Sequence, residues 1–95
     1  MKLTILFGGA SFEHEISIVS AITLKNKLSN FDLRFIFCDQ DHTFYLIEAS
    51  KMKAVTFSKN EHKKMPKLSI ANGAFIQKGM FSSIEHGGIF LNLIH

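Results

Sequence analysis

Residues 8 to 17 read Gly8-Gly9-Ala10-Ser11-Phe12-Glu13-His14-Glu15-Ile16-Ser17, which places two glycines, two hydroxyls and two carboxylates in one short stretch. A packed core has no use for polar groups at that density, whereas a binding site does. A carboxylate there suits a cation such as a substrate ammonium group. Glu13 and Glu15 are two positions apart, so on any helical turn they point to different sides and do not share one task. One of them would face a sheet edge and bind the cation, and the other would hold the turn together. Carboxylates at a helix start also complement its positive end without any ligand.

The remaining reactive side chains are scattered. His14, His42, His62, His86 and His95 show no zinc-type spacing, and Cys38 is the single cysteine, so no metal is expected within this chain. Cys38 near a strand end reads as a small core residue rather than a nucleophile. Gly8-Gly9 is neither the G-x-G-x-x-G dinucleotide fingerprint nor a P-loop, because no Gly-Lys-Ser/Thr follows. The pair suits a tight strand-to-helix turn that needs glycine torsions.

The flanking elements explain why those residues would meet. Leu3–Phe7 is a continuous apolar run, as in strands buried on both faces. From about Glu15 to Leu28 the pattern is helical, with Ile18, Ala21, Ile22, Leu24 and Leu28 in one sector. Ile16 and Val19 lie outside that sector and are expected to be exposed. Asp32–Cys38 is a second strand, and β-helix-β order implies a right-handed crossover with parallel strands. Asp39-Gln40-Asp41-His42 is a polar turn into a strand at Thr43–Ile47, which favours an antiparallel hairpin at the sheet edge. Ala49–Ala54 reads as a helical turn and Val55–Phe57 as a short extended piece. Ser69–Ile70 and Ala74–Gln77 flank Asn72-Gly73 as a small hairpin with a type I′ turn. Lys78–Gly88 reads as a loop or short helix, and Ile89–Ile94 as a buried strand one residue before His95. The candidate turn therefore lies at the carboxyl ends of strands, where open α/β sheets bind ligands.

The chain has 95 residues, enough for one small domain. It is 46% hydrophobic and 20% charged, an ordinary globular composition that argues against disorder. No apolar run approaches the roughly 18 residues of a membrane span. Leu3–Phe7 is too short for a signal-peptide core. One cysteine excludes an internal disulfide and fits a cytoplasmic setting. The net charge of +3 is uneven, with Lys51, Lys53, Lys59, Lys63, Lys64 and Lys67 clustered in the second half. That stretch has no arginine and few aromatics, so it reads as a solvated surface rather than a nucleic-acid interface.

The run Leu6-Phe7-Gly8-Gly9-Ala10-Ser11-Phe12-Glu13-His14-Glu15-Ile16-Ser17-Ile18-Val19-Ser20-Ala21 closely resembles the N-terminal signature of the D-alanine–D-alanine ligase family. That signature is roughly G-G-x-S-x-E-[HR]-E-[VI]-S-x-x-S-[AG] after an apolar strand. The Ile89–Ile94 strand and His95 resemble the family strand that runs into a His-Gly-x-x-Gly-Glu-Asp-Gly motif, with His95 as its first residue. The likeness is sharp over about residues 5–21 and 89–95.

The resemblance implies a Rossmann-like N-terminal domain of an ATP-grasp enzyme, α/β, with a mostly parallel sheet carrying an antiparallel hairpin. It also implies that residues 1–95 are a substrate-binding domain cut before the central and C-terminal ATP-grasp domains. The whole enzyme would use ATP with Mg2+ (or Mn2+) to phosphorylate one D-alanine carboxylate. A second D-alanine then attacks the acyl phosphate to give D-alanyl-D-alanine for peptidoglycan. By motif position, Glu13 would hold the first D-alanine's ammonium group and His95 would line the same subsite near the reacting carboxylate. Ile16 and Ser17 would pack against that substrate. Gly8, Gly9, Ser11 and Glu15 would be structural parts of the turn. The nucleotide and metal ligands would lie outside this chain, which alone is expected neither to turn over nor to bind nucleotide. The expected partner is D-alanine, with no nucleic acid and no membrane, in a full-length homodimer. The alternatives are a D-alanine–D-lactate or D-alanine–D-serine ligase, a stand-alone α/β amino-acid-binding module, and a basic interaction domain using the lysines of 51–67.

Overall fold

The computed structural model describes residues 2–10, 14–71, 74–77, 83–84 and 89–94. Strand β1 (Lys2–Gly8) is followed by helix α1 (His14–Lys27), strand β2 (Asp32–Cys38) and strand β3 (Phe44–Ile47). Two 3-10 turns, Ala49–Lys51 and Glu61–Lys64, flank the short helix α2 (Ala54–Ser58). Strands β4 (Lys67–Ala71), β5 (Ala74–Gln77), β6 (Ser83–Ile84) and β7 (Ile89–Asn92) complete the order.

These strands form one sheet in the order β6-β5-β4-β3-β2-β1-β7. β1 pairs in parallel with β2 on one side, from Lys2↔Asp32 to Gly8↔Cys38, and with β7 on the other, from Leu3↔Ile89 to Leu6↔Asn92. The α/β reading and the β1-α1-β2 crossover are therefore as expected, and the parallel end carries the candidate turn. The β2–β3 hairpin is also present, with Cys38 opposite Phe44, but it lies inside the sheet rather than at its edge, because β4 pairs with the other side of β3. The antiparallel part is larger than one hairpin, because β3–β4, β4–β5 and β5–β6 are antiparallel as well.

Period-two alternation sorts the apolar side chains onto two faces. Leu3, Ile5 and Phe7 join Phe35, Phe37, Tyr45 and Ile47 on the face covered by α1 and α2, with Ile18, Ala21, Met52 and Phe57 completing that core. Their register agrees, since Ile5 pairs with Phe35 and Phe7 with Phe37. Phe7, Phe37 and Phe57 meet at centroid distances of 5.2, 5.6 and 4.8 Å. Burying each ring is worth about 1.5–3 kcal/mol. The other face holds a smaller cluster of Leu6, Ile36 and Leu68, with Phe44, Leu46 and Ile94 against it.

α1 follows its sector. Ile18 and Ala21 are buried, and Ile22, Leu24 and Leu28 pack against the core. Ile16 and Val19 are 65% and 61% exposed, as their positions outside the sector require. Glu15 lies in the first turn and Lys25 and Lys27 in the last, complementing the helix dipole.

Two local expectations are corrected. Val55–Phe57 belongs to helix α2 rather than an extended piece, because that turn drives Phe57 into the ring cluster and buries Thr56. Within Lys78–Gly88, Ser83–Ile84 is a strand paired with β5 rather than loop or helix. Asn72-Gly73 and its turn type lie outside the described residues.

Candidate functional site at the carboxyl ends of β1 and β7

β1 ends in two glycines with left-handed backbone, φ 95° at Gly8 and 99° at Gly9. Only glycine adopts such angles without strain. Space at both positions is closed as well. A Cβ on Gly8 would collide with the Cys38 carbonyl oxygen and the Phe37 ring, and one on Gly9 would lie 2.8 Å from Ile94 Cγ2. The Gly9 amide donates to the Cys38 carbonyl at 2.8 Å, extending the β1–β2 ladder around the turn.

Ser17 joins the three elements that meet here. The Gly8 amide donates to its Oγ at 2.9 Å, and the Oγ–H donates to the Leu93 carbonyl at 3.0 Å. A hydroxyl has a single proton, so these two bonds assign its donor and acceptor roles. Leu93 is held from its other side, because its amide donates to the Leu6 carbonyl at 2.7 Å. The Asn92 side chain then accepts the Ile94 amide at 2.9 Å.

His14 fastens the start of α1. Its Nδ1 lies 2.6 Å from the Gly9 carbonyl, which can only accept, so Nδ1 carries the proton. Its ring packs edge-on against Phe37 at 5.3 Å. The described side-chain hydrogen bonds to the two glycines thus come from His14 and Ser17, whereas Glu15 is exposed at the first turn of α1.

Gly8, Gly9, Ser17, His14 and residues 93–94 are therefore brought together. Ile16 projects outward on α1. Ser11, Glu13 and His95 lie outside the described residues. In sequence, Glu13 comes three residues after Ala10 and His95 three residues after the end of β7.

Beside this junction, the end of β2 and the Glu61–Lys64 turn bring together a pair that sequence spacing did not reveal. Asp39 Oδ2 lies 3.0 Å from Nε2 of His62, which is 3% exposed. The His62 ring sits among Phe37, Tyr45 and Phe57 at 4.8, 5.4 and 5.9 Å. Its Nδ1 is buried without a partner among the described residues. His62 and Asp39 line a cleft of about 380 Å³ with His14, Glu15, Gln40 and Asn60. The signal that could have drawn attention to the pair was Asp39 itself, the first polar residue after β2.

Electrostatics near the end of β2 follow burial. Burial pushes the Cys38 thiol up, and the nearby Asp39 and Asp41 carboxylates push it further. Tyr45 is raised by the same causes. The Thr43 hydroxyl and amide hold the exposed Asp41 carboxyl below its usual range. Among the described residues no group of three His, Cys, Asp or Glu is placed to hold a metal ion, and no helix is long and apolar enough to cross a membrane.

Residues 2–95 match the family model described as the D-ala D-ala ligase N-terminus. The chain belongs to that family. It is 75% identical over 95 residues to the D-alanine–D-alanine ligase of Sulfurimonas denitrificans, covering 100% of this chain and 28% of that protein. Among solved structures, it superposes on the D-alanine–D-alanine ligase from Helicobacter pylori with a TM-score of 0.83 and 43% identity, covering 100% of this chain and 29% of that one. The VanG D-Ala:D-Ser ligase from Enterococcus faecalis shares the fold, with a TM-score of 0.72 at 20% identity over 99% of this chain and 29% of its own. This member of the ligase family spans about 28% of the length of the curated relative it matches.

Proposed function

We propose that this chain is the N-terminal, D-alanine-binding domain of a D-alanine–D-alanine ligase, an ATP-grasp enzyme that makes D-alanyl-D-alanine for peptidoglycan. The observation that carries this reading is the 75% identity across the whole chain to a D-alanine–D-alanine ligase. The site geometry supports it, because the turn leading into Glu13 and the strand end leading into His95 are tied together through Ser17.

In this reading Glu13 binds the ammonium group of the first D-alanine through a charge-assisted hydrogen bond. His95 lines the same subsite near the carboxylate that is activated. The exposed Ile16 and the α1 start around Ser17 form the wall of that subsite. Phosphoryl transfer from ATP depends on positioning and charge neutralisation, and the Mg2+ or Mn2+ that supplies the latter binds residues beyond this chain. The second D-alanine's amine then displaces phosphate from the activated carboxylate. The longer protein works in the cytoplasm as a homodimer, without nucleic acid or membrane, and residues 1–95 alone are inactive.

The test is ATP-dependent phosphate release by the protein extended beyond His95, with D-alanine alone and with D-serine or D-lactate added to it, beside a Glu13→Gln variant. The expected result is D-alanine-dependent turnover, weakened about a hundredfold or more in the variant. A folded, extended protein without turnover on any of these would overturn the ligase reading in favour of a binding module.

A further inference from the structure

We propose that Ser17 is a positioning residue whose hydroxyl sets the mutual placement of the two arms of the candidate site, an inference that rests on the ligase reading for its functional consequence. The Ser17 side chain is buried, at 4% exposure, and its two hydrogen bonds run to backbone groups of two different strands. The donor on one side is Gly8, at the turn that leads to Glu13. The acceptor on the other is Leu93, two residues before His95 and 76 positions from Ser17 in sequence.

The geometry makes this bridge hard to replace. Gly8 is buried at the last paired position of β1, opposite Cys38, and its amide donates to the Ser17 hydroxyl. The Leu93 carbonyl lies just beyond the last paired residues of β7, where Leu6↔Asn92 closes the register. A hydroxyl that accepts one bond while donating another strengthens both, because each polarises the other. The bridge thus couples the end of β1, the first turns of α1 and the end of β7 at one atom. Ile94 against Gly9 and the Ile94 amide on Asn92 keep the segment after Leu93 in line. Glu13 and His95 flank the elements so joined, and reacting groups displaced by about 1 Å lose about a hundredfold in rate.

The experiment uses the longer protein that continues past His95, with Ser17→Ala, Ser17→Thr and Ser17→Cys. Amide hydrogen exchange is read at Gly8, Leu93 and Ile94, and steady-state kinetics are measured separately for D-alanine and ATP. The expected result for Ser17→Ala is faster exchange at those three amides with the β1–β2 ladder unchanged. Its kcat/KM for D-alanine should fall about tenfold to a hundredfold, with KM for ATP unchanged. Ser17→Thr, which keeps the hydroxyl, restores both readouts. Ser17→Cys, a weaker donor, lies between them and decides the matter if the alanine variant does not fold.

Wild-type exchange in the folded alanine or cysteine variant would overturn the bridge. A loss of activity matching only the unfolded fraction, with D-alanine KM unchanged, would overturn the positioning role and leave a merely structural residue. Wild-type protein without D-alanine-dependent turnover would sink the ligase reading and the catalytic consequence with it, while exchange still tests the bridge.

Discussion

Gly9 and Ile94 are packed so closely that a Cβ on the glycine would stand 2.8 Å from Ile94 Cγ2. Residues from opposite ends of the chain thus share one contact beside the candidate site. Gly9→Ala should destabilise by about 1–3 kcal/mol from its positive φ alone, with a further steric part. Shortening the neighbour, Ile94→Ala, relieves the steric part but not the backbone part. A urea-denaturation double-mutant cycle should therefore show a favourable coupling of about 0.5 kcal/mol or more. Gly8→Ala should be the more damaging change, because it meets the Cys38 backbone carbonyl rather than a side-chain tip.

His62 offers a second test. Truncation to alanine would empty the space among Phe37, Tyr45 and Phe57 and is expected to lower stability by about 3 kcal/mol. His62→Phe keeps a ring there and removes the Nδ1 that has no partner among the described residues. Asp39 retains the Gln40 amide, which donates to its Oδ1 at 2.8 Å. The phenylalanine variant should thus unfold at a higher urea concentration than the alanine variant. The reverse order would mean that a phenyl ring does not fit the space among Phe37, Tyr45 and Phe57.

Alkaline pH should weaken the fold through Cys38 and Tyr45. Both acids are raised above their ordinary values by burial first, and by the Asp39 and Asp41 charges second. The unfolded chain therefore releases these protons at lower pH than the folded one. The stabilisation is fully present below the ordinary thiol range of about pH 8.5 and is lost as pH rises through the raised folded values. Thermal midpoints measured from pH 8 to 10.5 should fall, and Cys38→Ala should reduce the slope. A thiol reagent should label Cys38 slowly in the native protein and rapidly in denaturant.

The exposed pair on α1 should matter little for stability. Ile16→Gln and Val19→Gln are expected to change it by no more than about 0.5 kcal/mol, as for other solvent-facing positions. Self-association, followed by light scattering against concentration, should decrease if this apolar surface is what holds copies together.

The elements around the site were legible because their patterns are local. Leu3–Phe7 could only be a buried strand. The α1 sector from Ile18 to Leu28 likewise separated the packed residues from exposed Ile16 and Val19. Val55–Phe57 misled because three apolar or β-branched residues in a row suit a strand. Its helix is imposed by the rings that Phe57 must reach, which is tertiary information. The Asp39–His62 pair spans 23 positions and has no motif. Ser17 was legible as part of a signature, but its role as a bridge was not, since Leu93 becomes its neighbour only after β7 docks on β1.

That docking also orders events during synthesis. β1 leaves the ribosome well before β7, one of its two partners, and the other described strands of this chain are made between them. Until residues 89–93 emerge, the β7-facing edge of β1 offers unpaired backbone groups, a template for mispairing with other chains. Pairing across nearly the whole length also raises contact order, which slows folding. Gly8 and the Ser17 hydroxyl must therefore wait in a half-built turn until β7 arrives with Leu93.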